Sequence, residues 1–188
     1  MAREGDIGRE APSLARNTMH ETLFTGKIFG VQRRTYQRED GRPIVRDVVV
    51  HPGAVVIVPR LDDRRIVMIR NYRHAVGEEL LELPAGTLEK GEAPLTAAGR
   101  ELEEETGYVA GRLEPFIEFF STPGICTELM RSYVATDLTE TRQRLEADEQ
   151  IRVEIVDTDT LRRNLCDGTI RDGKTIAILG SYFLRNER

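Results

Sequence analysis

Four of the five residues from Glu101 to Glu105 are glutamates, in the stretch RELEEETG that runs from Arg100 to Gly107. Glutamates three or four apart on a helix repel by about 0.2–0.5 kcal/mol per pair. Gly107 is a residue type that ends helices, and a helix dipole is already negative at that end. A chain that folds this segment as a helix must therefore bring something positive to it. Pro94 suits a first helical position, and Leu95, Ala98 and Leu102 recur at helical spacing. The pattern predicts a helix from Pro94 to about Thr106 with those three residues buried. At about 100° per residue, Glu101, Glu104 and Glu105 fall within one arc away from that stripe, while Glu103 points elsewhere into solvent. Clustered carboxylates suit hard divalent cations such as Mg²⁺ or Mn²⁺, which take oxygen ligands, water and substrate phosphate. The plain alternative is a solvated acidic face. Such a face would normally carry lysine or arginine four residues after its acids, where this chain has Tyr108 and Val109.

The rest of the chain reads as strands first and helices last. Strand-like runs are KIFGVQRR (27–34), RDVVVH (46–51), AVVIVP (54–59), RIVMIRNY (65–72), LEPFIEFF (113–120), ELMRSYVAT (128–136) and IRVEIVD (151–157). The acidic helix follows ELLELPAG (79–86), and two further helices are expected at Thr158 to Cys166 and Lys174 to Arg185. A polar stretch, DLTETRQRLEADEQ, joins the last two strands. This mixture predicts an α+β chain with a mixed sheet covered by helices on both faces.

Composition narrows the function classes. At 188 residues the chain is long enough for one domain with a real core. Its net charge of −5 does not point to nucleic acid. No apolar run approaches the roughly 18 residues of a membrane span. The opening MAREGDIGREAPSLARN lacks the apolar run of a signal peptide and reads as a polar lead-in. Cys126 and Cys166 form no C-x-x-C pair, which suits a reducing cytoplasm and no zinc site. Cys126 has no visible base to make it a nucleophile. His20, His51 and His74 show no ligand spacing and read as ordinary surface or rim histidines.

Gly86, five residues, Glu92, seven residues, then Arg100-Glu101-Leu102-x-Glu104-Glu105-x-Gly107 resembles the Nudix box. Eight fixed positions over 22 residues make the resemblance specific. Tyr108 stands where the pattern is usually aliphatic, a packing difference that touches no ligand. The resemblance implies a Nudix-type α/β/α sandwich, with the box at 86–108 forming a loop, helix and loop. It implies a Mg²⁺-dependent pyrophosphohydrolase acting on a nucleoside diphosphate linked to another group. On this reading residues 1–52 are a lead-in and strand-rich segment, and 53–188 the catalytic domain.

Outside the box the chain is similar to the ADP-ribose pyrophosphatase branch. VMIRNYRHAVGEELLELPAG carries Asn71-Tyr72-Arg73 in place of a Q-Y-R tripeptide, ahead of LELPAG. STPGICTE resembles an SPG-x-x-x-E segment, with Thr122 for its serine, Pro123, and Glu128 five residues on. EADEQIRVEIV resembles the acidic loop and strand that complete the site. The resemblance implies that the Ala85 carbonyl, Glu101, Glu105 and Glu149 hold metal, with Glu104 supporting them. The position matching the branch's catalytic base is Ala147, which leaves Glu146 or Asp148 to serve if the loop register shifts. Arg46 and Arg73 would grip phosphate, a task suited to planar guanidinium donors, or be surface arginines at strand edges. Glu128 would touch the terminal ribose or be a solvated glutamate at a strand start. Glu82 would lie near substrate or anchor its loop. Phe29 would stack on the base or belong to a core. Arg100, with Glu92, would orient a glutamate or simply anchor the loop. The branch further implies a homodimer in which N-terminal strands cross to the partner, against a plain monomeric extension of the sheet. Substrates in view are ADP-ribose, giving AMP and ribose 5-phosphate, and GDP-mannose or another nucleotide sugar. The rival of another class is a non-catalytic nucleotide-binding module.

Overall fold

The computed structural model describes residues 17–147 and 149–186. Its elements are β1 (Asn17–Thr25), β2 (Gly30–Gln37), β3 (Pro43–Val50), β4 (Ala54–Pro59), β5 (Arg65–Arg73), β6 (Glu78–Glu82), β7 (Ala85–Thr87), α1 (Pro94–Thr106), β8 (Tyr108–Phe120), β9 (Leu129–Glu140), β10 (Ile151–Asp157), α2 (Thr158–Cys166) and α3 (Gly173–Asn186). The chain divides into two compact units, one ending at His51 and the other beginning at Pro52.

The first unit is an antiparallel sheet in the order β1-β2-β3. β1 is a strand that its sequence hides: register shifts between Asn17 and Met19 and between Thr22 and Phe24 break the two-residue alternation that would announce it. β2 begins at Gly30 rather than Lys27, because Gly26 N–H bonds the Phe29 carbonyl at 2.9 Å and closes a turn there.

The second unit contains the expected mixed sheet, resolved into two. One has the order β7-β4-β9-β8, with β4 and β9 parallel; the other is antiparallel, β10-β5-β6. β4 is buried along its whole length, which is how a strand covered on both faces reads. Val56 and Val58 pack with Ile66, Met68, Leu83, Leu161 of α2 and Leu179 of α3. Val55 and Ile57 pack on the opposite side with Val67 and with Ala97, Ala98 and Leu102 of α1. Helices thus cover both faces.

α1 has the predicted bounds. Pro94 opens it, and Gly107 closes it in the left-handed region (φ 71°), its N–H bonding the Glu103 carbonyl at 2.8 Å. The buried stripe differs from the expected one. Leu95 is exposed, and the covered residues are Ala97, Ala98, Glu101, Leu102, Glu105 and Thr106. Two glutamates belong to the buried face.

Candidate active site

The site grows from the turn after β6. The Pro84 carbonyl accepts the Ile57 N–H at 2.9 Å, tying the Pro84-Ala85-Gly86 loop to β4. The Ala85 N–H donates to Glu105 Oε2 at 2.8 Å. A Cβ at Gly86 would stand 1.9 Å from Cδ and Oε1 of Glu101, so the missing side chain is the space in which that carboxylate lies. Loop and helix therefore hold two glutamates one turn apart, both shielded from solvent. Burial, opposed by Arg100 and reinforced by the charges of Glu104 and Glu149, pushes Glu101 up to about 7. Burial pushes Glu105 up to about 8 against its bond from Ala85, and Glu101 and Glu149 add to the rise.

Arg100 is the positive charge nearest this cluster. Its Nε and Nη2 donate to Glu92 at 2.9 and 3.0 Å, and its Nη1 lies 2.8 Å from Glu101 and 2.9 Å from Glu104. Glu92 also accepts the Glu89 N–H at 3.2 Å. One guanidinium thus bridges Glu92 of the loop and two glutamates of α1. Glu103, expected in open solvent, pairs with Arg144 at 2.9 Å.

The acidic loop after β9 is fastened to the end of α1. Arg144 N–H bonds the Glu104 carbonyl at 2.9 Å. The Gln143 side-chain amide donates to the Glu105 carbonyl at 2.7 Å and to the Ile151 carbonyl at 3.4 Å. Gly107 is required here for a second reason: a Cβ would come 2.8 Å from Gln143 N. Within the loop, Glu149 Oε2 accepts the Glu146 N–H at 2.8 Å. The charge of Glu149 adds to the upward shift of both Glu101 and Glu105. Asp148 lies outside the described residues.

Arg73 and Glu82 meet. Arg73 Nε and Nη2 donate to the two Glu82 oxygens at 2.8 and 2.6 Å, and Glu82 is wholly buried. Lys174 of α3 contacts the same carboxylate. Glu128 is half-buried at the end of the β8–β9 connection, its carbonyl accepting the Ser121 N–H at 3.2 Å. In the first unit, Arg46 is exposed on β3, directly opposite Arg34 of β2. Phe29 is 44% exposed and tilts against Phe24, with ring centroids 6.1 Å apart, so it is no core residue within its own unit.

A family model described as the NUDIX domain matches residues 50–177. The chain belongs to the Nudix family. This Nudix chain is 36% identical over 137 residues to an ADP-ribose pyrophosphatase of Bacillus subtilis, covering 73% of its own length and 74% of that protein's. It is 32% identical over 183 residues to a GDP-mannose pyrophosphatase of Escherichia coli, covering 86% and 94%. A solved structure of an ADP compounds hydrolase superposes with a TM-score of 0.79 at 24% identity, over 92% of this chain and 95% of that one. The expected branch is borne out.

Nudix proteins generally use divalent metal ions, and the donors fit one. The pair formed by Glu101 and Glu105 supplies hard oxygen ligands whose mutual repulsion a cation relieves. Among the described residues no three His, Cys, Asp or Glu side chains group as a metal site. A pH dependence follows. With Glu101 and Glu105 raised from 4.5 to about 7 and 8, the folded state binds more protons than the unfolded chain across that interval. Their contribution to metal-free stability is therefore present at low pH and lost as pH rises through the folded values. In thermal melts with EDTA the transition should fall between about pH 5.5 and 8.5, and divalent ions should restore most at the upper end. A melting temperature that rose across this range in EDTA would contradict the burial of this pair.

Three residues escaped the sequence reading: Gln143, Arg144 and Lys174. Nothing in the local pattern marks the first two, which act across more than thirty positions of chain. A signal for the third existed. Asp172 is a favoured helix N-cap type, and its side chain accepts the Thr175 N–H at 3.0 Å.

Proposed function

We propose that the protein hydrolyses the diphosphate bond of a nucleoside diphosphate sugar with Mg²⁺, for which Mn²⁺ substitutes, and that ADP-ribose is its substrate, yielding AMP and ribose 5-phosphate. The observation that carries this reading is the pair of buried, mutually repelling glutamates lodged against the Gly86 backbone. The bound ion would neutralise phosphate oxygens and ease deprotonation of water.

The chain's own groups do the rest. Glu101, Glu105, Glu149 and the Ala85 carbonyl would hold the cation, and Glu104 would steady them through Arg100. Glu146 or Asp148 takes the proton from the attacking water. Arg73 grips phosphate with the Nη1 edge that its fork to Glu82 does not use. Arg46 is a second phosphate group: like charges directly opposite in a sheet disfavour each other, and an anion between Arg46 and Arg34 removes that penalty. Glu128 contacts the terminal ribose and Phe29 the base. Glu82 serves as the anchor of Arg73 and its loop.

The working form is a homodimer, supported by the exposed apolar side chains of Met19, Leu23, Phe24, Ile28, Phe29 and Val45 in the N-terminal unit. No helix among the described residues is long and apolar enough to cross a membrane. The two free thiols, Cys126 and Cys166, suit a reducing cytoplasm.

GDP-mannose is the second reading, favoured by the likeness to a GDP-mannose pyrophosphatase. Incubation with Mg²⁺ and ADP-ribose, GDP-mannose, ADP-glucose or NADH separates the cases. ADP-ribose should give AMP and ribose 5-phosphate fastest. Faster release of GMP from GDP-mannose would establish the second reading, and no turnover of any member would leave a binding module.

A further inference from the structure

We propose that Lys174 is a positioning residue for Arg73, acting through Glu82. Four charged side chains alternate in sign from β5 to the start of α3: Arg73, Glu82, Lys174 and Asp172. Arg73 grips Glu82 with two nitrogens at 2.8 and 2.6 Å. Lys174 Nζ contacts Glu82 Oε2 and donates to Asp172 Oδ2 at 2.8 Å. Asp172 Oδ2 in turn accepts the Thr175 hydroxyl at 2.6 Å, and Thr175 Oγ1 accepts the Leu83 N–H at 2.9 Å. The chain of contacts thus returns to the residue beside Glu82. It fixes the strand end immediately before the Pro84-Ala85-Gly86 loop.

A buried carboxylate needs a partner, because an unpaired charge in that setting is strongly unfavourable. Glu82 has two, and they are not equivalent. The Lys174 side chain is 8% exposed, so it cannot serve as an open substrate contact, whereas the Arg73 side chain is 41% exposed. Lys174, itself held by Asp172, locks the Glu82 carboxylate in one orientation, while Thr175 ties Asp172 to the Leu83 N–H beside it. Glu82 then sets the plane of the Arg73 guanidinium, because a bidentate fork is planar. Nη1, outside the fork, is left pointing along a fixed line. An arginine held in this way meets a phosphate oxygen without first ordering its own side chain, which is where affinity is gained. With Lys174 removed, Glu82 is held by Arg73 alone, and the two turn as a loose pair.

This inference rests on the reading of Arg73 as a phosphate ligand for the diphosphate substrate, and the experiment separates the two. KM and kcat for ADP-ribose with Mg²⁺ are measured for the full chain and for Lys174→Met, Lys174→Arg, Arg73→Gln and the Lys174→Met/Arg73→Gln double variant. Melting temperatures are recorded alongside. Loss of one charged hydrogen-bond partner should raise KM about tenfold in Lys174→Met with kcat little changed. Lys174→Arg, which keeps a cation for Glu82, should recover most of the loss. In the Arg73→Gln background, Lys174→Met should add less than about twofold, since residues acting as one unit are not additive. Should Lys174→Met fail to fold, Lys174→Gln, which keeps a donor for Glu82, takes its place in the cycle. Multiplying effects, or a lowered melting temperature with KM unchanged, would overturn the role of Lys174 while leaving Arg73 as a phosphate ligand. An unchanged KM in Arg73→Gln would overturn both.

Discussion

Glu105→Gln is expected to lower turnover by roughly a hundred- to a thousandfold, the several kcal/mol of charge stabilisation that a lost metal ligand removes, while the chain stays folded. The fold should survive because glutamine has the same shape and its amide oxygen still accepts the Ala85 N–H, which Glu105 now takes at 2.8 Å. Stability should even improve in EDTA. Burial, with the charges of Glu101 and Glu149, pushes Glu105 up to about 8, so above that pH the native protein carries a desolvated anion that the amide lacks. Two melting series, in EDTA and in excess Mg²⁺ at about pH 8.5, test both halves of the argument. The native protein should gain strongly from Mg²⁺. The variant should begin higher and gain little. Full turnover, or an equal gain from Mg²⁺ in both proteins, would remove Glu105 from the metal site.

The local chemistry of α1 made it legible. Proline at its first position and glycine in the left-handed region after its last fix both ends without reference to anything distant. The box spacing that placed Gly86 and the glutamates is likewise local. What a single helix pattern could not show was which arc faces inward. Leu95 repeats correctly with Ala98 and Leu102, yet it is exposed, because the loop from Pro84 to Gly86 covers the arc holding Glu101 and Glu105 instead. That arc looked polar and therefore looked exposed. The partners of the charged residues were hidden for a related reason. Arg144 with Glu103, Gln143 with the Glu105 carbonyl and Lys174 with Glu82 are separated by 38 to 92 positions, with at least two strands between the partners. Their pairing depends on tertiary geometry, and no spacing rule reaches it. β8 and β9 ran beyond their predicted ends for a simpler reason. Their antiparallel pairing continues through Tyr108 with Glu140 and Val109 with Thr139, where Tyr108 is buried against α1 but the other three are exposed and give no alternating apolar signal.

Gly86→Ala is the sharpest test of how loop and helix cooperate. One added carbon would stand 1.9 Å from Cδ and Oε1 of Glu101, well inside any permitted contact. Two outcomes are open to the molecule: the loop shifts, or the carboxylate leaves. The loop is fixed through Pro84 to β4 and through Ala85 to Glu105. Glu101 is held at its tip chiefly by Arg100, which retains Glu92 and Glu104 when that contact is lost. The carboxylate should therefore move. The melting temperature in EDTA should stay within a few degrees of the native value, as expected when the displaced atoms are the end of a flexible side chain. Turnover should fall on the order of a hundredfold, the usual consequence of displacing a group near the chemistry by an ångström or more. Metal affinity, read by titrating Mn²⁺, should weaken in parallel. A variant that unfolded early yet kept its turnover per folded molecule would mean that the loop had yielded instead, and that Glu101 does not depend on the space glycine leaves.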